Sequence, residues 1–445
     1  MDSSTQSILS ELLNFSTIRN QKLFVVGGTL RDYLSRRPCF DFDLTGKNAA
    51  EVGTGFAHSL NFTCVPLDKT PGRKTVRVVL DQNRHLDFTD LQGRNIEEDL
   101  SQRDFTINAM GMFLSDFLSG RKDIIDPYKG QEDLKNRKIR VLEGAIIPSD
   151  PLRMLRAFRF AATLDFEIVE DTLSKISLHK TELNKSAPER IWHELILFFK
   201  AASTLSLLES MHGCGLLGCL FPISDEVKTI TQYQRLESLL KDPGEIFPEY
   251  ANKFSAHIFL NKHYLLRLSV LLKGVDQSPI SETEAIESFS NTHGLNLNPS
   301  NAEIKSIDQT LNGARSLTEA YLKGSLGQNE TYELTTKVHE ELLASIILFT
   351  TGFSLQNKSD AENRVLFCNR MFKFYYGQFL PTMNKKPLLN GEDIIHKFCL
   401  SPSPLFGKIL NCVQKAQVLG DIATREDAIT LAGDIIQSQI KESDV

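Results

Sequence analysis

What this chain lacks narrows it first. Over 445 residues, no apolar run approaches the about 18 residues that a membrane-crossing helix needs. The opening stretch, MDSSTQSILSELLNFSTIRNQ, has no basic segment, no apolar core and no small-residue cleavage site. The expectation is therefore a cytoplasmic protein. Ile8, Leu9, Leu12 and Leu13 fall at helical spacing, which predicts a short amphipathic helix. The seven cysteines are scattered. Cys214 and Cys219 in MHGCGLLGCL do not make C-x-x-C, and no Cys or His pair has zinc-finger spacing. Reduced thiols fit this pattern better than disulfides or structural zinc. Positive charge is not in excess: 50 Lys and Arg stand against 56 Asp and Glu, a formal net charge of -6. That excludes a polyanion binder that is basic throughout, so any nucleic-acid site is a local patch. No internal repeat or low-complexity tract is present.

What is present is an ordinary globular composition, with 41% hydrophobic and 24% charged residues and enough length for several domains. KLFVVGG, FDLTG, TVRVVL and HLDFTDL read as strands, rich in β-branched and aromatic residues with turns between. From about residue 150 the period changes. RMLRAFRFAATL, ERIWHELILFFKAAS and HEELLASIILFTTGF carry apolar residues at i, i+3, i+4 spacing and predict helices. QSPISETEAIES and NLNPSNAE read as loops feeding helix starts, and MNKKPLLNGEDI as a linker. The expected class is α+β: a head with a mixed sheet and helices over 1–145, then an all-helical neck (146–215), body (216–375) and tail (376–445). Trp192 reads as core. MFKFYYGQFL reads first as an amphipathic core helix, with nucleic-acid stacking the lesser alternative.

The stretch VVGGTLRDYLSRRPCFDFDLTG carries the most chemistry. On a strand, Asp41 and Asp43 project from one face while Phe42 and Leu44 take the other. Two adjacent carboxylates repel unless a cation sits between them. Mg²⁺ prefers hard oxygen ligands and often combines one or two carboxylates with substrate phosphates. Gly27 and Gly28 permit positive φ and close backbone approach, as a phosphate cradle requires. Arg31 could reach a phosphate through two nitrogens. A bare GG or D-x-D is an ordinary tight turn or a pair of surface aspartates. Together at this spacing they are specific.

This combination resembles the head of the polymerase-beta superfamily of nucleotidyltransferases. More narrowly it resembles the class II tRNA nucleotidyltransferases (CCA-adding enzymes) and bacterial poly(A) polymerases, whose pattern is G-G-x-x-R-D followed by D-x-D. EEDLSQRDFTINAM is similar to the second family motif, with Arg103, Asp104 and Asn108 in place and Gln102 where an arginine is usual. DIIDPYKGQEDLKNRKIR is similar to the third, with Asp126, Gly130, Asp133 and Arg140 in register. SDPLRMLRAFRFAATLDF resembles the fourth, with Ser149 in place of the usual Glu. PERIWHELILFF, with Glu189, Arg190 and Glu194, resembles the fifth. The likeness covers roughly residues 23–200.

The resemblance implies a transfer in which a tRNA 3′-hydroxyl attacks the α-phosphate of CTP or ATP and pyrophosphate leaves. It implies Mg²⁺, two ions in the family, held by Asp41 and Asp43. Asp87 would be a third carboxylate, though it reads equally as an outward-facing strand aspartate. Arg103 would contact the nucleotide, with a salt bridge at a helix start as the alternative. Asp104 would be a helix N-cap or a motif residue, with Thr106 competing for the cap. Asp150 followed by Pro151 predicts a helix start, with Asp150 as N-cap and Pro151 as first helical residue. Arg153, Arg156 and Arg159 then recur every three residues. In the family, the residues matching Asp150 and Arg153 read the base edge, and both C and A present an amine there. The candidate set is Asp41, Asp43 and Asp87 for catalysis; Gly27, Gly28, Arg31, Arg103, Asp150, Arg153, Arg156 and Arg159 for the nucleotide; and Asp104, Asn108, Asp126, Asp133, Glu189 and Arg190 for structure or RNA. The expected partners are the tRNA 3′ end, CTP and ATP, with no membrane.

The connection VRVVLDQNRHLDF reads as a short turn, where many CCA-adding enzymes carry a flexible loop. That admits a partial adder of CC only or A only. A poly(A) polymerase and a catalytically inactive RNA-binding protein are the other readings. His257 and His263 lie where relatives carry a phosphohydrolase metal site, but LLKGVD replaces its His-Asp pair, so no metal is expected in the body.

Overall fold

The computed structural model describes residues 3–443 apart from 71, 145, 258–261, 275–296, 325, 353–357 and 402. The described residues form two compact units. One comprises those of Met1–Pro222 and Phe289–Asn298, the other those of Ile223–Ser288 and Pro299–Val445.

The first unit begins with the expected amphipathic helix α1 (Ser3–Ile18), whose Leu9 and Leu12 are fully buried. Then follow β1 (Leu23–Val26), α2 (Gly27–Leu34), β2 (Asp41–Gly46), α3 (Ala49–Ser59), β3 (Thr63–Asp68), β4 (Thr75–Val79), β5 (His85–Asp90), α4 (Ile96–Ser101), a single 3₁₀ turn (Thr106–Asn108), β6 (Gly111–Phe113), α5 (Leu114–Ser119) and α6 (Gly130–Lys135). The sheet order is β3-β4-β5-β2-β1-β6. Only β2 and β5 run parallel among these pairs, so the sheet is mixed.

The register fixes the site. Asp41 lies opposite His85 and Asp43 opposite Asp87, and Arg77 lies opposite Asp87 from the other side. In-register neighbours share a face. That face therefore carries Asp41, Asp43, His85, Asp87 and Arg77. The alternate residues Phe42, Leu44, Val78, Leu86 and Phe88 are buried at 0–1% exposure on the other face, under α3. The packing there is close. A Cβ on Gly53 of α3 would stand 2.5 Å from the Phe88 ring. Strand β3, at the sheet edge, carries Pro66 next to a register shift, where a missing N–H costs no ladder bond.

The chain leaves the sheet through β7 (Lys138–Ile139), α7 (Ile146–Ser149) and α8 (Arg153–Leu164). Next come β8 (Glu167–Ile168), paired to β7, then α9 (Glu170–His179) and α10 (Pro188–Phe199). α10 packs on α8 and buries Trp192 at 6% exposure, as expected of a core residue. One local expectation fails. Asp150 is not the N-cap of α8, and Pro151 is not its first residue. Pro151 and Leu152 form a turn, and α8 starts at Arg153. The Arg153 and Met154 N–H groups reach back three residues, to the carbonyls of Asp150 and Pro151, so the entry is a tighter 3₁₀-like turn.

The regular elements of the second unit are helices among its described residues. Its helices include Glu226–Lys241, His263–Gly274, Asn301–Leu322, Leu342–Thr351, Lys358–Phe374, Pro404–Leu419 and Arg425–Ser443. Ser300 and Glu303 make a capping box at the start of the third, the helix that NLNPSNAE feeds. QSPISETEAIES lies outside the described residues, as do Val275 and Asp276 of LLKGVD. The aromatic run at 371–380 sits in the core as an amphipathic helix, with Phe372 and Phe379 fully buried. No helix among the described residues is long and apolar enough to cross a membrane. All seven cysteines are free.

Candidate active site

The two glycines stand where β1 turns into α2. Gly27 has φ +63°, and a Cβ there would meet Asp43 Oδ2 at 2.9 Å and Arg103 Nη1 at 3.0 Å. Only glycine lets the backbone come this near the carboxylate without strain. The Gly28 N–H donates to Asp43 Oδ2 at 3.1 Å. Thr29 fastens the turn to β2: its hydroxyl donates to the Asp41 carbonyl (3.0 Å) and accepts from the Asp43 N–H (2.6 Å).

The carboxylates differ. The Asp41 side chain is 61% exposed, and its Oδ1 lies 2.7 Å from His85 Nε2. Asp43 is enclosed. Burial pushes its carboxyl above the usual range, the Arg103 guanidinium opposes this, and the negative charge of Asp87 adds to it. Arg103 is in turn held by Asp99 at 3.0 Å. Asp87 stands beside Asp43 with both oxygens in the fork of Arg77, at 2.8 and 2.7 Å. The third carboxylate is therefore adjacent to the pair but already clamped. Among the described residues, no three His, Cys, Asp or Glu side chains cluster as a metal cage. Two hard carboxylates projecting from one strand face fit an ion that completes its shell with substrate oxygens better than an all-protein cage.

The arginines divide into two kinds. Arg153 reaches along the chain surface, donating to the Ile146 carbonyl (3.1 Å) and the Gln102 carbonyl (2.9 Å). Gln102 takes part through its backbone oxygen only, and Ser149 turns its hydroxyl back to Ile146 O at 2.9 Å, so neither departing side chain touches Arg153 in a hydrogen bond among those of the described residues. Asp150 accepts from Arg190 at 3.0 Å. Arg31, Arg156 and Arg159 face inward instead. Arg31 holds Asp32 through two nitrogens and donates to Asn108 Oδ1 (2.9 Å). Asn108 donates to Asp104 Oδ1 (2.9 Å), and Arg156 grips Asp104 Oδ2 at 3.0 and 2.6 Å. Arg159 pairs with buried Glu194 at 2.5 Å, and Arg156 reaches the same carboxylate at 3.6 Å. All three guanidiniums surround the Phe160 ring, 3.9–5.3 Å from its centroid. The expectation that these three contact a nucleotide meets partners inside the protein: all three Arg31 nitrogens, Nε and Nη2 of Arg156 and Nε of Arg159 donate to protein groups.

Asp104 is a hub, not a helix cap. Burial would raise its pKa, but the Arg156 charge and the Asn108 amide outweigh it and hold the carboxyl below the usual range. Thr106 donates to Asp133 (2.7 Å), which also binds Arg140 at 3.0 Å. Asp126 accepts the N–H groups of Gly130 and Gln131 at the start of α6. Glu189 accepts from Asn298 (3.1 Å). Asp126, Asp133 and Glu189 thus brace the fold around the site and are not gathered into it. His85, Arg77 and Asp99 escape sequence reading. Only the strand register, or the i, i+4 step from Asp99 to Arg103, could have drawn attention to them.

Residues 23–140 match the family described as the poly(A) polymerase head domain. Residues 165–227 match the one described as a probable RNA- and SrmB-binding site of polymerase A. Two segments of the chain, in the head and after α8, thus resemble parts of polymerase A proteins. The chain is 36% identical over 221 residues to a CC-adding tRNA nucleotidyltransferase of Geobacter sulfurreducens, spanning 49% of this chain and half of that relative's length. It is 24% identical over 439 residues to a CC-adding enzyme of Synechocystis, covering 93% of this chain and 94% of that one. An A-adding enzyme of Deinococcus radiodurans is 24% identical over 420 residues, covering 91% and 93%. The fold is that of a CCA-adding enzyme solved with ATP, at a TM-score of 0.71 and 23% identity over 100% of this chain and 95% of that one.

Proposed function

We propose that this protein is a template-independent nucleotidyltransferase that adds C, A or both from CTP and ATP to the 3′ end of tRNA in the cytoplasm. The observation that carries this reading is the pair Asp41 and Asp43 on one strand face, against the positive-φ turn at Gly27 and the Gly28 N–H. A binding module has no use for a carboxylate pair held this way. The family match and the CC- and A-adding relatives support the same reaction.

In this mechanism the RNA 3′-oxygen forms a bond to the α-phosphorus, and the bond from that phosphorus to the bridging oxygen breaks, releasing pyrophosphate. Such transfer asks mainly for positioning and charge neutralisation. Asp41 and Asp43 would hold Mg²⁺. When bound, Mg²⁺ neutralises phosphate charge and activates the attacking hydroxyl. Asp87, fixed by Arg77, adds negative charge beside Asp43 and so favours a cation there. Arg103, next to Gly27, meets the nucleotide's phosphate or sugar side. Asp150 accepts from the exocyclic amine of C or A, and Arg153 donates to a ring nitrogen or carbonyl. Arg31, Arg156 and Arg159 keep α8 in place under that reading head. The head (1–145) carries the chemistry, the neck (146–215) the base, and the body (216–375) and tail (376–445) the RNA.

The test is incorporation of each labelled nucleoside triphosphate into a tRNA transcript lacking CCA. CTP or ATP label should enter with Mg²⁺, and GTP and UTP label should not. The Asp41→Ala/Asp43→Ala double variant should incorporate nothing while staying folded. Equal incorporation by that variant would overturn the site.

A poly(A) polymerase is the second reading, because the head family bears that description. It predicts runs of A on any RNA.

A further inference from the structure

The two carboxylates of the site are not held alike. Asp43 has one oxygen fixed by the Gly28 N–H at 3.1 Å and is enclosed by the turn. Asp41 projects into solvent, and an exposed side chain samples several rotamers. One contact restrains it: His85 Nε2, 2.7 Å from Oδ1. Among the described residues, no other hydrogen bond or ion pair reaches the Asp41 carboxylate. The contact is built into the sheet, because β2 and β5 run parallel and Asp41 and His85 are register partners. The His85 side chain is 22% exposed, and the residue's backbone N–H donates to the Phe40 carbonyl at 3.3 Å, which ties the start of β5 to the entry of β2. The imidazole thus rises from an anchored strand position and is the less exposed partner of the two, 22% against 61% for Asp41. Each carboxylate then has one oxygen tied to the protein by a hydrogen bond, Asp43 by the Gly28 N–H and Asp41 by His85.

We propose that His85 is a positioning residue for the nucleotidyl transfer, which orients Asp41 so that its free oxygen faces the cation also held by Asp43. This rests on the metal reading of Asp41 and Asp43 given above. A partner that orients a ligating group is worth about 10- to 100-fold in metal affinity or activity. Removing the imidazole leaves Asp41 present but unaligned. A side chain that donates one N–H from the same strand position restores much of the alignment.

The test titrates Mn²⁺ into the full chain, followed by electron paramagnetic resonance, for wild type, His85→Ala, His85→Gln and Asp41→Asn. A second readout is the Mg²⁺ concentration giving half-maximal nucleotide addition, with kcat taken at saturating Mg²⁺. His85→Ala should weaken Mn²⁺ binding and raise the half-maximal Mg²⁺ concentration about tenfold, while kcat at saturation changes less than about threefold. His85→Gln should recover most of both. Unchanged or tighter metal binding in His85→Ala would overturn the proposal, making His85 a mere neighbour or a competitor of the cation. Loss in His85→Ala that His85→Gln does not rescue would also overturn it, since the imidazole would then act as a ligand itself. If Asp41→Asn leaves metal binding and activation unchanged, it is the metal reading of the site that fails, a result distinct from either.

Discussion

At the scale of single residues, the site sets carboxylate chemistry against stability. The folded state raises the proton affinity of Asp43, chiefly by burial. An acid with a raised folded pKa takes up protons on folding, so its contribution to stability falls as pH rises above about 4, the usual aspartate value. Without metal, Asp43→Asn should therefore be at least as stable as wild type at about pH 7, and its advantage should shrink towards about pH 4. Urea unfolding at both pH values checks this, and nucleotide transfer should be lost in the same variant. A destabilised Asp43→Asn would mean that Arg103 and the Gly28 N–H stabilise the ionised carboxylate by more than burial costs it. Gly27→Ala works in the opposite direction. At φ +63° it costs roughly 1–3 kcal/mol, and its Cβ would displace Asp43 or Arg103. A fall in kcat of more than tenfold, together with a lower melting temperature, is expected. Asp41, Asp43, Gly27 and Gly28 were legible in the sequence because strand alternation and glycine chemistry are local. His85 and Arg77 were not, because their partners depend on which strands pair and in what register.

At the scale of elements, α8 is tied to the head by Asp104 and to α10 by Glu194, through Arg156 and Arg159. Arg156→Ala leaves the buried Asp104 carboxylate without its strongest partner. That should cost about 3–5 kcal/mol, read from denaturant midpoints. Arg156→Lys should recover part of it, since a point charge cannot reproduce a two-nitrogen grip. α3 is fixed differently. Gly53 lets it lie against Phe88, so Gly53→Ala should destabilise the head by about 1–3 kcal/mol through overpacking. The helical run of α8 could be read from its apolar spacing, and so could the every-third-residue arginines. Their inward direction could not, because a stripe of charge looks the same whether it meets water or buried carboxylates. The helix start was misread at Asp150 because the Asp-Pro signal is also compatible with the tight turn that precedes α8. Strands β6, β7 and β8 are two or three residues long and carry too little pattern to detect.

At the scale of the whole molecule, the change of period near residue 150 located the passage from sheet to helices. The described residues, however, divide near residue 222, because β8 pairs back to β7 and α10 packs on α8. Contacts of that kind carry no local sequence signature. With a formal net charge of -6, the RNA binding proposed for this chain would have to use a few local cations. Affinity for tRNA should fall roughly ten- to hundredfold between about 0.05 and 0.2 M salt, less steeply than for a protein that neutralises many phosphates. Filter binding across that range reads the slope. The central claim concerns the reaction itself. The most direct measurement is the length and sequence of product from three tRNA transcripts, ending before CCA, after CC and after CCA, each given Mg²⁺ with CTP, ATP or both. The account predicts addition of C, of A or of both that never extends past a complete CCA and leaves the third transcript unchanged. Long A tails on every transcript would contradict it in favour of a poly(A) polymerase, and no addition with the RNA still bound would contradict catalysis itself.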